Sequence, residues 1–216
     1  MTIGSVHASI DLANDSSART GSRELRLDVT LVAGAFMVVT GPSLSGKTRL
    51  LHYVAGWEQP RQGEVTWNGA DTSPPSWSQL TVIPQAFAIV DELTVLENVT
   101  LARRLNPARR PADRDQLDHI MEALGLDRLR EREISEVSVG ERQRIMVARA
   151  LADRPDVILA DEPVVHQDRQ HADAVLGLLS DAVQAGSACL LATRHPTDIA
   201  RVQATTTLDL TNRQLT

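Results

Sequence analysis

Apolar and polar positions along this chain fall into short blocks whose period switches between two and about four. Val6 to Leu12 alternates. Glu24 to Val32 does so more strictly, with Leu25, Leu27, Val29 and Leu31 set against Arg26, Asp28 and Thr30. A period of two puts every second side chain on one face, so both blocks predict half-buried strands. Between them, Asn14 to Ser22 is small and polar and predicts a loop. Ala35 to Thr40, Val157 to Ala160 and Leu190 to Thr193 are almost wholly apolar, which suits strands covered on both faces of a parallel sheet. Leu80 to Ile83 predicts another strand, ended by Pro84. Pro60 to Gly69 predicts a turn, a short strand from Glu64 to Trp67, and a hairpin turn at Asn68-Gly69. Ser73-Pro74-Pro75 predicts a loop, and Thr205 to Leu210 a closing strand.

Residues 86–136 change character. They carry helical periodicity with acidic and arginine-bearing surfaces and a break between Pro107 and Pro111, and they read as a helical insertion. Arg49 to Ala55 begins a helix directly after an apolar strand and a loop. Glu141 to Ala152 predicts a helix with Ile145, Val147, Ala148 and Leu151 as its apolar positions. Strands interleaved with helices indicate an α/β fold. The length of 216 residues suits one domain, or one core with a subdomain.

Composition narrows the function classes. A hydrophobic content of 42% supports a packed core. The net charge of −6 offers no electrostatic case for nucleic acid. The short clusters Arg103-Arg104 and Arg109-Arg110 read as solvated surface. Cys189 is the sole cysteine, which excludes an internal disulfide and suits the cytosol; its apolar neighbours predict a quiet core thiol. No apolar run approaches the roughly 18 residues of a membrane helix. Leu31 to Val39 is interrupted by Gly34, and the N-terminus lacks the form of a signal peptide. Any service to a membrane is therefore expected to pass through a partner.

The 22 basic residues are 21 arginines and one lysine, Lys47. It lies within Gly41-Pro42-Ser43-Leu44-Ser45-Gly46-Lys47-Thr48, which fits the phosphate-loop pattern G-x-x-x-x-G-K-[ST]. An ammonium on a thin stem threads between β- and γ-phosphates where a planar guanidinium is too broad. Loop and helix-start amides point at phosphate, and the Thr48 hydroxyl is in place for Mg²⁺. Val157 to Pro163 ends an apolar strand on Asp161 and Glu162. A carboxylate there is costly without a partner; Mg²⁺ is such a partner for Asp161, while Glu162 can orient or deprotonate an attacking water. Val137 to Arg144 opens a helix, with Ser138 and Glu141 spaced as a capping box and its amides as a second phosphate site. Gln85 follows a strand within reach of metal or water, and His195 follows another where an imidazole can bond a γ-phosphate.

In their order, these elements resemble the nucleotide-binding domain of ATP-binding cassette transporters, over nearly the whole chain. Residues 41–48 match Walker A, with Arg49 next in the helix; Gln85 matches the Q-loop and residues 137–144 the LSGGQ-type signature. Asp161 and Glu162 match Walker B and the catalytic glutamate, Asp168 the D-loop, and His195 the switch histidine. The resemblance implies a P-loop NTPase core with a helix-flanked parallel sheet, an antiparallel β subdomain and a helical subdomain. Within the single domain 1–216, residues 1–85 and 153–216 form the core with the β subdomain, and 86–152 the helical subdomain including the signature helix. It also implies Mg-ATP hydrolysis between two chains. Thr48, Gln85 and Asp161 would serve the metal, while Walker A of one chain and Ser138, Val139, Gly140, Glu141 and Asp168 of the other would enclose the nucleotide. An integral membrane permease, met through 86–136, would hold the protein at the cytoplasmic face of the membrane, with no nucleic acid involved. Leu93 to Val99, Glu141 and Ile158 to Pro163 resemble the lipoprotein-releasing and macrolide-exporter branch.

Some positions depart from the family pattern. Val139 stands at the first signature glycine and Leu44 at a usual glycine of the loop. Val164 to Gln167 departs from the usual D-loop, and no aromatic between Val6 and Leu31 is available to stack on adenine. Weaker adenine contact and slow turnover are expected. Two other readings stay open: a soluble cassette ATPase of translation or DNA repair, and an ATP-gated regulatory module with little or no turnover. Against the first, only 114 positions separate Lys47 from Asp161, with no heptad run.

Overall fold

The structure is a computed structural model describing residues 5–12, 25–69, 79–105, 114–211 and 214–215. The expected loops at Asn14 to Ser22, Ser73 to Pro75 and Pro107 to Pro111, and the pair Arg109-Arg110, lie outside these residues. Three strands, β1 (Ser5–Leu12), β2 (Leu25–Val32) and β4 (Gly63–Trp67), form an antiparallel sheet in the order β2-β1-β4. A second sheet has the order β5-β6-β7-β3-β8-β9. Its members are β3 (Phe36–Thr40), β5 (Leu80–Ile83), β6 (Val157–Asp161), β7 (Ala188–Thr193), β8 (Thr206–Asp209) and β9 (Gln214–Leu215). The first five in that order run parallel, and β9 is antiparallel at the edge. The helices are α1 (Lys47–Val54), α2 (Val95–Leu105), α3 (Arg114–Ala123), α4 (Val139–Leu151) and α5 (Arg169–Gln184).

The apolar runs are buried on both faces because each face has its own cover. Phe36, Val38, Ile158, Ala160, Cys189 and Leu191 face a cluster shared with α2, α3, α4 and α5. Met37, Val39, Val157, Leu159, Leu190 and Ala192 face a second cluster shared with α1 and the antiparallel sheet. The alternation along each strand divides its side chains between the two clusters. Val95, Val99, Ile120, Met121 and Ile145 of the 86–152 stretch thus share one core with the central sheet.

Asn68-Gly69 makes the expected turn, with φ of 56° and 68°, and β4 pairs with β1; the return strand of a hairpin would fall on residues 70–78, outside the described ones. One expectation is corrected: the strand near Thr205 does not close the fold, since β9 adds to its outer edge. A two-residue strand is too short to show a period. Among the described residues no helix is long and apolar enough to cross a membrane.

Candidate functional site

Ligands of open parallel sheets bind beyond the carboxyl ends of the strands. Here the ends of β3, β6 and β7 lie level, with Thr40 opposite Thr193 and Asp161 opposite Ala192. That register gathers residues 41–48, 161–162 and 193–194 into one place. Gly46, at φ 101°, turns the loop into α1 with no side-chain cap, leaving the first-turn amides available to an anion. A β-carbon on Gly41 would stand 2.7 Å from Ser45 Oγ, so the loop admits only glycine there. Leu44, at φ 65°, is 92% exposed at the loop tip.

Lys47 is buried and folds back over the loop, its Nζ donating to the Gly41 carbonyl at 2.8 Å and the Pro42 carbonyl at 3.0 Å. Burial holds its ammonium below the usual lysine range, against the pull of Glu162 and Asp161. The Thr48 hydroxyl donates to Asp161 Oδ2 at 2.6 Å, joining positions 113 residues apart. Asp161 is 3% exposed, and its Oδ1 is buried with no hydrogen-bond partner among the described residues. An orphaned carboxylate oxygen beside a hydroxyl is the hard-oxygen donor set that Mg²⁺ takes, so these residues fit the metal. Gln85 is exposed and borders, with Thr48 and Asp161, a cavity of about 380 Å³.

Glu162 follows the last residue of β6. Its backbone is left-handed, at φ 50°, and its N–H donates to the Ala192 carbonyl at 2.9 Å. The carboxylate is buried, 4.0 Å from Lys47 Nζ. Arg194, which the motif reading passed over, donates to it twice: Nε to Oε1 at 3.1 Å and the backbone N–H to Oε2 at 3.3 Å. His195 is exposed, its N–H on Thr193 Oγ1 at 3.0 Å, and no contact of its ring appears among the described residues. The side chain brought to Glu162 is therefore Arg194, not His195. A cation one step past the end of β7 was the available signal. Arg49 is also turned elsewhere, with Nε 3.4 Å from Glu58 and its guanidinium over the Tyr53 ring at 5.6 Å.

The signature segment is the N-terminus of α4. Ser138 caps it, its Oγ accepting from the Glu141 N–H at 3.3 Å, while Glu141 Oε2 accepts from the Ser138 N–H and hydroxyl, each at 2.7 Å. Burial opposes the Glu141 charge, but these two donors hold its carboxyl below the usual range. Val139 stands half exposed at the tip. Asp168 caps α5, accepting from the His171 N–H and ring. Gln167, not anticipated from sequence, ties the two elements: its Nε2 donates to the Gly140 carbonyl at 2.9 Å, and its Oε1 accepts from Arg144 at 2.8 Å. These segments are far apart in sequence, so only the fold reveals that bridge.

This arrangement can be compared with known proteins. Residues 25–165 match the ABC transporter family. The chain is 34% identical over 184 residues to the lipoprotein-releasing system ATP-binding protein LolD of Acinetobacter baylyi, covering 81% of each chain. It is 36% identical over 137 residues to the spermidine/putrescine import ATP-binding protein PotA of Legionella pneumophila, covering 62% of this chain but only 38% of that one. The matched part thus spans well under half of that relative's length. An ATP-binding subunit of an ABC transporter superposes with a TM-score of 0.81 at 21% identity, covering 99% of this chain and 88% of that one. A dimeric ATP-binding cassette in a post-hydrolysis state, bound to ADP and Pi, superposes at 0.76 with 21% identity, covering 97% and 96%. With a phosphate loop, a Thr48–Asp161 pair and a capped signature helix on this sheet, and with relatives matched over most of its length, the chain belongs to the ABC transporter family.

Proposed function

We propose that this chain is the ATP-binding and ATP-hydrolysing subunit of a membrane transporter. The observation that carries the reading is the Thr48–Asp161 bond, with Asp161 Oδ1 left unpaired beside buried Lys47. Loop amides and Lys47 bind the β- and γ-phosphates and neutralise charge that grows on the leaving group. Thr48 and Asp161 would hold Mg²⁺, with Gln85 lining the same cavity, and the bound metal would screen the charge of the phosphate oxygens. Glu162 accepts the proton of the water that attacks the γ-phosphorus, and ADP departs as the P–O bond breaks.

The site as it stands has one wall of a sandwich. Ser138 to Glu141 and Asp168 would meet the nucleotide of a second ATPase chain, equal or different, placed head to tail. Helices of the 86–152 subdomain would touch an integral membrane permease and hold the protein peripherally at the cytoplasmic face. The lipoprotein-releasing branch is supported by the longer reach of the LolD match.

A second reading, an ATP-gated module with little turnover, draws on the cations that hold Glu162. Steady-state Mg-ATP hydrolysis by the whole chain, against Glu162→Gln, separates the two. A motor loses about 10²–10⁴-fold in rate in the variant while ATP binding remains. Equal and negligible rates in both, with binding retained, would leave the gated module.

A further inference from the structure

Glu162 is held by Arg194 where it lies. Oε1 accepts from the guanidinium and Oε2 from the backbone N–H, and the Lys47 ammonium adds a second positive charge 4.0 Å from Oε1. Oε1 thus faces both cations, and a water that uses it must compete with the Arg194 guanidinium. The contact is built into the sheet: β6 and β7 end level, and the left-handed turn at Glu162 lays its carboxylate alongside the residue after Thr193.

Only one partner is free to leave. Glu162 is 3% exposed, whereas the Arg194 side chain is 39% exposed. Arg194 also borders, with Gly41 and Pro42, a cavity of about 430 Å³ at the head of the phosphate loop. That space gives the guanidinium room to turn from the carboxylate toward the loop. The terminal phosphate of a triphosphate, drawn in by Lys47, offers more charge and a matching geometry for a planar fork. A diphosphate lacks that group and leaves Arg194 on Glu162.

We propose that Arg194 is the residue that distinguishes ATP from ADP: it bonds the γ-phosphate, and in leaving Glu162 it unmasks the base. This rests on the ATPase reading above and assigns Arg194 the contact expected of His195.

The test is equilibrium binding to the whole chain, by titration calorimetry with Mg²⁺ present, of a non-hydrolysable ATP analogue and of ADP. Arg194→Ala should weaken the analogue about tenfold or more, the share of one charged hydrogen bond, and move ADP by less than about twofold. Unaltered ADP binding also shows that the variant is folded. Arg194→Lys should recover part of the loss, because it keeps the charge without the fork. Equal losses for the two nucleotides, no loss for either, or a selective loss in His195→Ala instead would each overturn the assignment. A wild-type chain that binds both nucleotides without turnover removes the hydrolytic reading but leaves this test intact. One that binds neither removes both.

Discussion

At the scale of single residues, the site is made of groups whose cost is visible. Lys47 and Asp161 are buried polar groups, Lys47 bonded within its own loop and Asp161 to Thr48 across the fold, and their meaning was legible because spacing and strand context are local. Arg194 was not legible. Which of two adjacent side chains meets Glu162 depends on where β7 ends and on the bend at φ 50°, neither of which a motif encodes. Leu44 stands where the loop usually has a glycine, and it occupies φ 65°. A left-handed non-glycine residue costs about 1–2 kcal/mol, and glycine in its place would give back about 0.5–1 kcal/mol through its freer unfolded chain. Leu44→Gly should therefore raise stability by about 0.5–1 kcal/mol, read as a higher urea midpoint. A lower midpoint would mean that the exposed leucine makes a stabilising contact.

At the scale of elements, two devices secure the segments around the site. Fully buried Asn98 of α2 accepts from the Val90 N–H and donates to the carbonyls of Val90, Leu93 and Thr94, so one side chain organises the segment after Gln85. Met146 and Arg149 of α4 also reach that segment, at the N–H and carbonyl of Ala88. Asn98→Ala takes the side-chain partner from the half-buried Val90 N–H and Leu93 carbonyl, while the Val90 and Thr94 carbonyls keep backbone donors, and should cost about 1–3 kcal/mol, with faster amide exchange at residues 90–94. An unchanged urea midpoint would assign that segment's order to α4 instead. The capping box of α4 is the second device. Because its folded pKa is depressed, Glu141 contributes stability that is complete above its ordinary value of 4.5 and is lost as pH falls through the folded value. Glu141→Gln should flatten that part of the acid limb, measured as denaturant midpoints between about pH 3 and 6. Both devices were half legible: the spacing of Ser138 and Glu141 announced the cap, but nothing in the sequence announced what Asn98 binds.

At the scale of the whole molecule, one sheet with two covered faces makes the site a property of the global fold. Cys189 reports on this, since it sits fully buried in the central strand β7, and burial pushes its thiol far above the usual range. Its reaction with a thiol reagent should follow the denaturant dependence of global unfolding, not of loop opening. Reaction that is fast and insensitive to denaturant would reveal a local opening of β7.

The sequence by itself determined the strands with a period of two, the apolar strands of the parallel sheet, the phosphate loop and the acidic end of β6. Each depends on side chains close together along the chain, where period and spacing carry the information. Only the tertiary structure decided that β9 extends the sheet beyond β8, that Gln167 joins the signature helix to α5, and that Arg194 holds Glu162. Those outcomes depend on which strands lie side by side and how their ends align. The competition between partners distant in sequence has no local signature.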